Sequence, residues 1–564
     1  MKRSIGAPPR SAVTRHLLAL AAYAGIVCAL LLPKLFPARA GRILSNSPAD
    51  GSVFLWSLGW WPHAIGHGHV VPYTHAVFAP EGTNLAWTTS VPAAGVLLAP
   101  VTLAFGIFVA FNVLAVLAPI SAAWATYGLV HRLTGRWWPS LVAGMLFALS
   151  PLERAEVAIG HLNLSLAALV PVAAYLVVRR LDGSMRPAAF VAAFAIVGAA
   201  QLGISTEVFL TASVFGWFAL ILWYAWDVER RPALGRCAVL LALGYLGAAV
   251  LAGPLVYAAL ALPHPAGLLS PGGAPAPFSG VETHLRASPG TIASIALAVA
   301  AWLALLVYLV ATRRRGPPGR AIGVTALAAL ACAPGILVVG SRTVPTPWTL
   351  IRHLPLAGLV RPQRLTMYAW LAGAVAIGTW IAASPRSWPR RVVALAALSA
   401  LLPAMWLGSW TSNVPGSPFS SAANDHPAPR ENLAVLAGPP PRSLQYSDLA
   451  FPMVWQAESS FSFRLADAYV GSFPPALPAP VRRLMFGRPP TGDAQPVWRW
   501  LRLKRVGSLL LMRPTAATLR PIRRFLGTDP TMLPGVALFP VHPPRDPRPT
   551  REGLPVDAHR DKMS

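Results

Sequence analysis

Residues 17–33, LLALAAYAGIVCALLLP, carry no charge and follow Lys2, Arg3, Arg10 and Arg15. A hydrocarbon core takes about 20 apolar residues as a helix, so this run reads as a membrane span whose basic end stays in the cytoplasm. A cleavable leader is the alternative, but no convincing small-residue cleavage site precedes Asn46, and a retained span is the expectation. The rest of the chain agrees. Of 564 residues, 55 % are apolar and 12 % charged, with mean hydropathy +0.53, where a soluble domain carries about 25 % charge. That much apolar surface cannot be hidden in water, which excludes a soluble enzyme, a disordered chain and a fibrous protein.

Working outward, further apolar runs fall near 108–130, 139–150, 162–178, 187–204, 207–226, 237–262, 290–311, 321–340, 366–383 and 392–410. With the first they make about eleven spans. Segment 91–105, bounded by Pro92 and Pro100, reads as a short re-entrant or interfacial helix. Basic clusters test the count. Arg179-Arg180, Arg230-Arg231, Arg313-Arg314-Arg315 and Arg390-Arg391 all fall in alternate loops, as the positive-inside rule expects for a cytoplasmic N-terminus. The opposite loops, 37–90, 151–161, 204–206, 263–289 and 341–365, and everything after Thr411, then lie outside the cytoplasm. Much of the excess of 47 basic over 20 acidic residues sits in such clusters, and no basic face with interleaved aromatics appears within one soluble unit, so nucleic acid is not an expected partner. Cys28, Cys237 and Cys332 lie in apolar runs and read as small lipid- or core-facing residues.

The expected architecture is therefore an all-α polytopic membrane protein with a small C-terminal extracytoplasmic mixed α/β domain. Residues 1–410 form the multi-pass part, 411–541 the outer domain, and 542–564 a disordered tail rich in Pro, Arg and Asp. Val506–Met512 and Val536–Val541 read as strands, and Gln445–Met453 and Ser459–Leu465 as strand or loop.

Ionisable groups beside a bilayer are costly and mark candidate sites. The first outer loop holds Asp50, Trp56, Trp60, Trp61, His63, His67, His69, Tyr73, His75, Glu81, Asn84 and Trp87. Asp50–Gly66 has helical spacing, and Asp50 either caps that helix or acts chemically. His63 and His67, four apart, are candidate ligands for a divalent metal, with packing at the membrane interface as the alternative. A second island is Glu153, Arg154, Glu156, His161 and Asn163, where Glu153–Arg154 reads as a local ion pair and Glu156 as a solvated loop carboxylate. The third island is Ser205-Thr206-Glu207, with Glu207 either capping its span or acting chemically. The fourth, Arg361-Pro362-Gln363-Arg364 after Arg352 and His353, runs against positive-inside. Its arginines take either an anionic ligand such as a lipid phosphate or a salt bridge to Glu153 or Glu207. No Walker A, dinucleotide fingerprint or GxSxG elbow is present.

These residues together resemble a known family. A cytoplasmic N-terminus, one span and a long outer loop opening on an acid are similar to the GT-C glycosyltransferases, and the order of motifs is similar to a group of actinobacterial multi-pass proteins placed near them. The matching stretches are Asp50–Trp61 with His63, Pro80–Leu85, Ser150-Pro151, Gly160–Leu164, Ile204–Glu207, Arg361–Arg364 and Trp455–Ser459, spread over roughly residues 40–475. The resemblance implies transfer of a sugar from a polyprenyl-phosphate donor to an envelope glycan, glycolipid or protein outside the cytoplasm, at the inner (plasma) membrane. It makes Asp50 the general base. Arg361 and Arg364 would hold the donor phosphate, with Trp56, Trp60 and Trp61 stacking on sugar or lying at the interface. His161, Asn163, His63, Glu81 and Asn84 are further candidate binding residues. Many members show two acids close together; here the second would come from Glu81, Glu153, Glu156 or Glu207, or be absent. A flippase or transporter of such lipids, and a non-catalytic scaffold, are the alternatives.

Overall fold

The computed structural model describes residues 10–37, 40–263, 282–284, 316–333, 336–339, 342–351, 360–401, 410–419, 432–438, 442–469, 477–488 and 492–542. Among these, seven helices are long and apolar enough to cross a membrane: Val13–Leu35, Ile107–Thr134, Leu162–Leu181, Pro187–Ile204, Thr206–Trp226, Arg231–Leu251 and Pro362–Ala383. Each coincides with an expected span. Trp137–Ala148 is apolar but only 12 residues long, and after the break at Pro151 the chain continues as a second helix, Pro151–Ile159. The run at 321–340 is also shorter than expected. Its helix, Gly316–Cys332, stops before a strand, Ile336–Val339, which pairs with Arg342–Val344. The last run forms the Trp388–Leu401 helix. The expected span at 290–311, Arg313–Arg315, Arg352, His353 and the tail beyond 542 lie outside the described residues. Between Pro92 and Phe105 the chain forms two short helices, Pro92–Leu97 and Ala99–Phe105.

The polar residues sort to two ends of the bundle. At one, Arg132 pairs with Asp182 at 2.6 Å, joining two basic loops. There too Trp137 Nε1 donates to the Arg15 carbonyl and Arg391 lies over Trp138. At the other, Arg42–Ile43 pairs antiparallel with Ser412–Asn413, so the first loop and the C-terminal region meet.

The C-terminal region forms a mixed five-stranded sheet in the order Thr531–Leu533, Val536–Pro540, Val506–Met512, Asn432–Leu436, Arg464–Leu465. Two pairings are parallel, Val506–Met512 with Asn432–Leu436 and the latter with Arg464–Leu465. Alternation along the strands gives the sheet two apolar faces. Leu433, Val435, Leu510 and Met512 face Trp56, Trp60 and Trp61 of the first-loop helix, Pro48–Gly66, and Met453 and Trp455 of the Arg442–Glu458 helix. Ala434, Leu436, Leu509, Leu511 and Phe539 are covered by the helices Ala479–Met485, Gln495–Leu503 and Ala516–Leu526.

The strand-or-loop reading of Gln445–Met453 is overturned, since this stretch is helical despite Pro452. Burial of Met453 and Trp455 with the sheet and Trp56, and of Val454 in the core of the helical bundle, outweighs its local preference. Gly59 shows how close that packing is. A Cβ there would lie 3.1 Å from Ala457 Cβ on one side and 3.2 Å from Ile107 Cγ2 on the other.

Candidate functional site

The first-loop helix begins where the chain is stitched to the end of the Pro151–Ile159 helix. Ser45 Oγ donates to the Ile159 carbonyl and Asn46 N–H to the Ala158 carbonyl. Gly160 closes that helix at φ +86°, and a Cβ there would come within 2.6 Å of Ser45 Oγ. Only glycine combines that left-handed turn with that approach. The turn aims His161 back toward both Glu156 and Asp50.

A chain of alternating charge results. Asp50 Oδ1 accepts from the Tyr469 hydroxyl at 3.0 Å and Oδ2 from Ser47 Oγ at 2.7 Å. His161 Nε2 faces Asp50 Oδ2 at 3.7 Å, and its Nδ1 donates to Glu156 Oε2 at 2.5 Å. Glu156 Oε1 lies 3.8 Å from Arg364 Nε, and Arg364 Nη1 donates to Glu207 Oε2. The Arg361 N–H donates to Glu207 Oε1 at 3.3 Å. Glu156, Glu207 and Arg364 also line a cavity whose other walls are Leu152, Leu164, Val208, Thr211, Leu365, Met367 and Tyr368. The cavity is little larger than a single water molecule and its walls are mainly apolar.

Electrostatics follow from these contacts. Burial pulls the Asp50 carboxyl upward, but hydrogen bonding and charge from His161, with the Ser47 and Tyr469 hydroxyls, hold it down at about 2. Burial alone would lower His161; Asp50 and Glu156 on its two nitrogens raise it instead. Glu153 differs. It is 2 % exposed, its Oε1 has no partner, and burial with repulsion from Glu156 pushes it well above the usual range.

Several expectations are corrected. Glu153 makes no ion pair with Arg154, and Glu156 is buried, not solvated, because the helix replacing the expected loop turns both acids inward. Asp50 is not the cap of its helix: Ser47 occupies the N-cap, and the Asp50 carboxylate takes the Ser47 hydroxyl, Tyr469 and His161. Glu207 is no cap either, since Ser205 Oγ accepts from Val208 N–H and the Glu207 carboxylate takes Arg364. Arg364 is thereby committed to carboxylates. Trp56, Trp60 and Trp61 offer no face to a sugar. They are buried against the sheet, Trp56 and Trp60 stack on each other, Trp56 Nε1 donates to Gln456, and Trp61 Nε1 to the Ser90 carbonyl. The His63 and His67 rings pack at 4.3 Å, with His67 Nδ1 on the His63 carbonyl. Among the described residues no group of three His, Cys, Asp or Glu could hold a metal.

Glu81 ion-pairs with Lys504 at 2.6 Å, which outweighs burial and lowers its carboxyl. Asn84 is structural, with Nδ2 on the Ala258 and Pro263 carbonyls and Oδ1 on Ala86 N–H. Asn163 is buried with Oδ1 unpartnered. Sequence reasoning missed Tyr469 and Ser47. Tyr469 left no local signal, because its partner lies 419 residues away.

No protein-family model matches the sequence, and no curated protein matches it. Solved structures do share its fold. The chain is similar to an oligosaccharyltransferase of Archaeoglobus fulgidus, at 14 % identity over 88 % of this chain and 68 % of that one, with TM-score 0.52. The same archaeal enzyme in complex with an inhibitory peptide and a dolichol-phosphate gives 13 % identity over 88 % and 69 %, with TM-score 0.51. Arabinofuranosyltransferase AftD from Mycobacteria gives TM-score 0.58 at 16 % identity, over 92 % of this chain but only 41 % of AftD. These are GT-C superfamily membrane glycosyltransferases. The fold of this chain is therefore GT-C.

Proposed function

We propose that the protein is a glycosyltransferase that moves a sugar from a polyprenyl-phosphate-linked donor to an acceptor hydroxyl on the outer side of the plasma membrane. The observation that carries this reading is the convergence of Asp50, His161, Glu156, Arg364 and Glu207 at one end of a GT-C bundle. In this reading that end faces the envelope, the N-terminus is cytoplasmic, residues 1–410 hold the donor, and the region after 411 contributes to acceptor binding.

The reaction breaks the bond from the sugar anomeric carbon to the phosphate oxygen, and the phosphate keeps the electron pair. A bond forms from the acceptor oxygen to that carbon, and the acceptor proton goes to the Asp50 carboxylate. A carboxyl held at about 2 is ionised throughout neutral pH. It takes the proton late, once bonding to carbon has made the hydroxyl strongly acidic. His161, buried between two carboxylates, holds Asp50 in place.

Proteoliposomes holding the protein, a labelled polyprenyl-phosphate sugar and an acceptor on one side test the reading. Label should pass to the acceptor without net lipid movement. Lipid movement without transfer would replace the enzyme reading with a flippase.

A further inference from the structure

One surface of the molecule is not used by the site. Between Ala479 and Val541 the chain holds eleven Lys and Arg against two acids, Asp493 and Asp529. The three helices there bury their apolar stripes on the sheet through Val481, Leu484, Val497, Leu501, Ile522 and Leu526. The 3.6-residue period then sends the intervening arginines the other way. Arg482, Arg483, Arg499, Arg520, Arg523 and Arg524 are all exposed. Of these six, Arg523 pairs with Asp529.

Position decides what such a face can meet. The Ile107–Thr134 span packs on the first-loop helix, that helix on Arg442–Glu458, and the latter on the near face of the sheet. The arginine-bearing helices cover the far face. They form the outermost layer, turned away from the membrane helices, so a bilayer surface is the wrong side of the stack. Base stacking is not offered either, because Trp498 and Phe525 are stacked on each other at 4.8 Å. What remains is a field of planar cations suited to paired carboxylates on a flexible polymer.

We infer that this far face is a docking surface for an acidic polysaccharide, held by its carboxylates on the arginines of the three helices. The choice of polysaccharide over other polyanions rests on the proposed outward orientation of this end; the binding itself does not depend on glycosyl transfer.

The test is a titration of the full chain, in nanodiscs of zwitterionic lipid, with polygalacturonate, and with dextran as the uncharged control. Saturable binding of polygalacturonate that weakens with salt is expected, with none of dextran. The combined change Arg482→Gln, Arg483→Gln, Arg520→Gln and Arg524→Gln should weaken binding at least about tenfold with an unchanged melting temperature. If that variant does not fold, Arg499→Gln with Arg524→Gln should still weaken binding about threefold. Absent binding, equal dextran binding, full binding by the arginine variants, or tighter binding of charge-matched duplex DNA or of anionic vesicles would overturn the inference. Asp50→Asn should bind polygalacturonate as the parent does, so a failed transfer assay and a failed docking surface are told apart.

Discussion

The first-loop helix has two ends that look alike in sequence and differ in the fold. Near its start, Asp50 is tied to Ser47, Tyr469 and His161, and through His161 to Glu156, Arg364 and Glu207. Near its end, His63 and His67 satisfy each other locally, with Phe461 covering His63 at 4.6 Å. The first end draws its partners from four other segments of the chain; the second draws mainly on its own turn. Local pairing needs nothing else from the protein. Buried charges recruited from distant segments must be compensated together, and that interdependence separates a site from a packing detail.

The sharpest way to break this contrast is to remove a shared cation. Arg364→Gln leaves Glu156 and Glu207 without their counter-charge, and the loss of an ion-pair partner in a buried setting costs about 3–5 kcal/mol. A melting curve in detergent that barely moves would show the chain is not interdependent.

Asp50→Asn comes next. Its transfer rate should fall at least ~100-fold if the carboxylate takes the acceptor proton. Its stability should fall by about 2 kcal/mol, the worth of a carboxyl held at about 2 rather than 3.8. Near-normal transfer by the folded variant would move the assignment to Glu207 or Glu156.

Acidity sharpens the comparison further. Asp50 is depressed, so its contribution is full above about pH 4 and is lost as pH falls through about 2. His161 is raised, so its contribution is full below about 6.5 and is lost as pH rises through its folded value. Relative to Asp50→Asn, the parent should gain most stability between about pH 4 and 6.5. A pH-independent difference would disprove the pairing.

Two smaller effects complete the series. Tyr469→Phe removes one hydrogen bond to a charged oxygen and should cost about 1.5 kcal/mol, with the Asp50 titration moving upward by NMR. Together, His63→Ala and His67→Ala should change stability by no more than about 1 kcal/mol and leave transfer intact. A large loss of transfer in that double variant would erase the distinction between the two ends.

Much of this was readable in the residues alone. Apolar runs about 20 residues long are satisfied in lipid as helices, and among the described residues seven helices long and apolar enough to cross fall where hydropathy puts them. The short apolar run Val506–Met512 reads as a strand and forms one, buried on both faces. The polar islands were visible for the same reason, because each charge beside a bilayer stands out against its surroundings.

Tertiary structure alone decided how the islands are wired. Arg364 and Glu207 are 157 residues apart and Tyr469 and Asp50 are 419 apart, and no local period encodes such a pairing. The same holds for Glu153, which sequence paired with Arg154, and for Glu156, which it placed in solvent. Once Pro151–Ile159 coils and turns at Gly160, one acid is buried without a partner and the other between His161 and Arg364. Burial and distance, not residue type, then set what each carboxyl can do, because desolvation and neighbouring charge act through space.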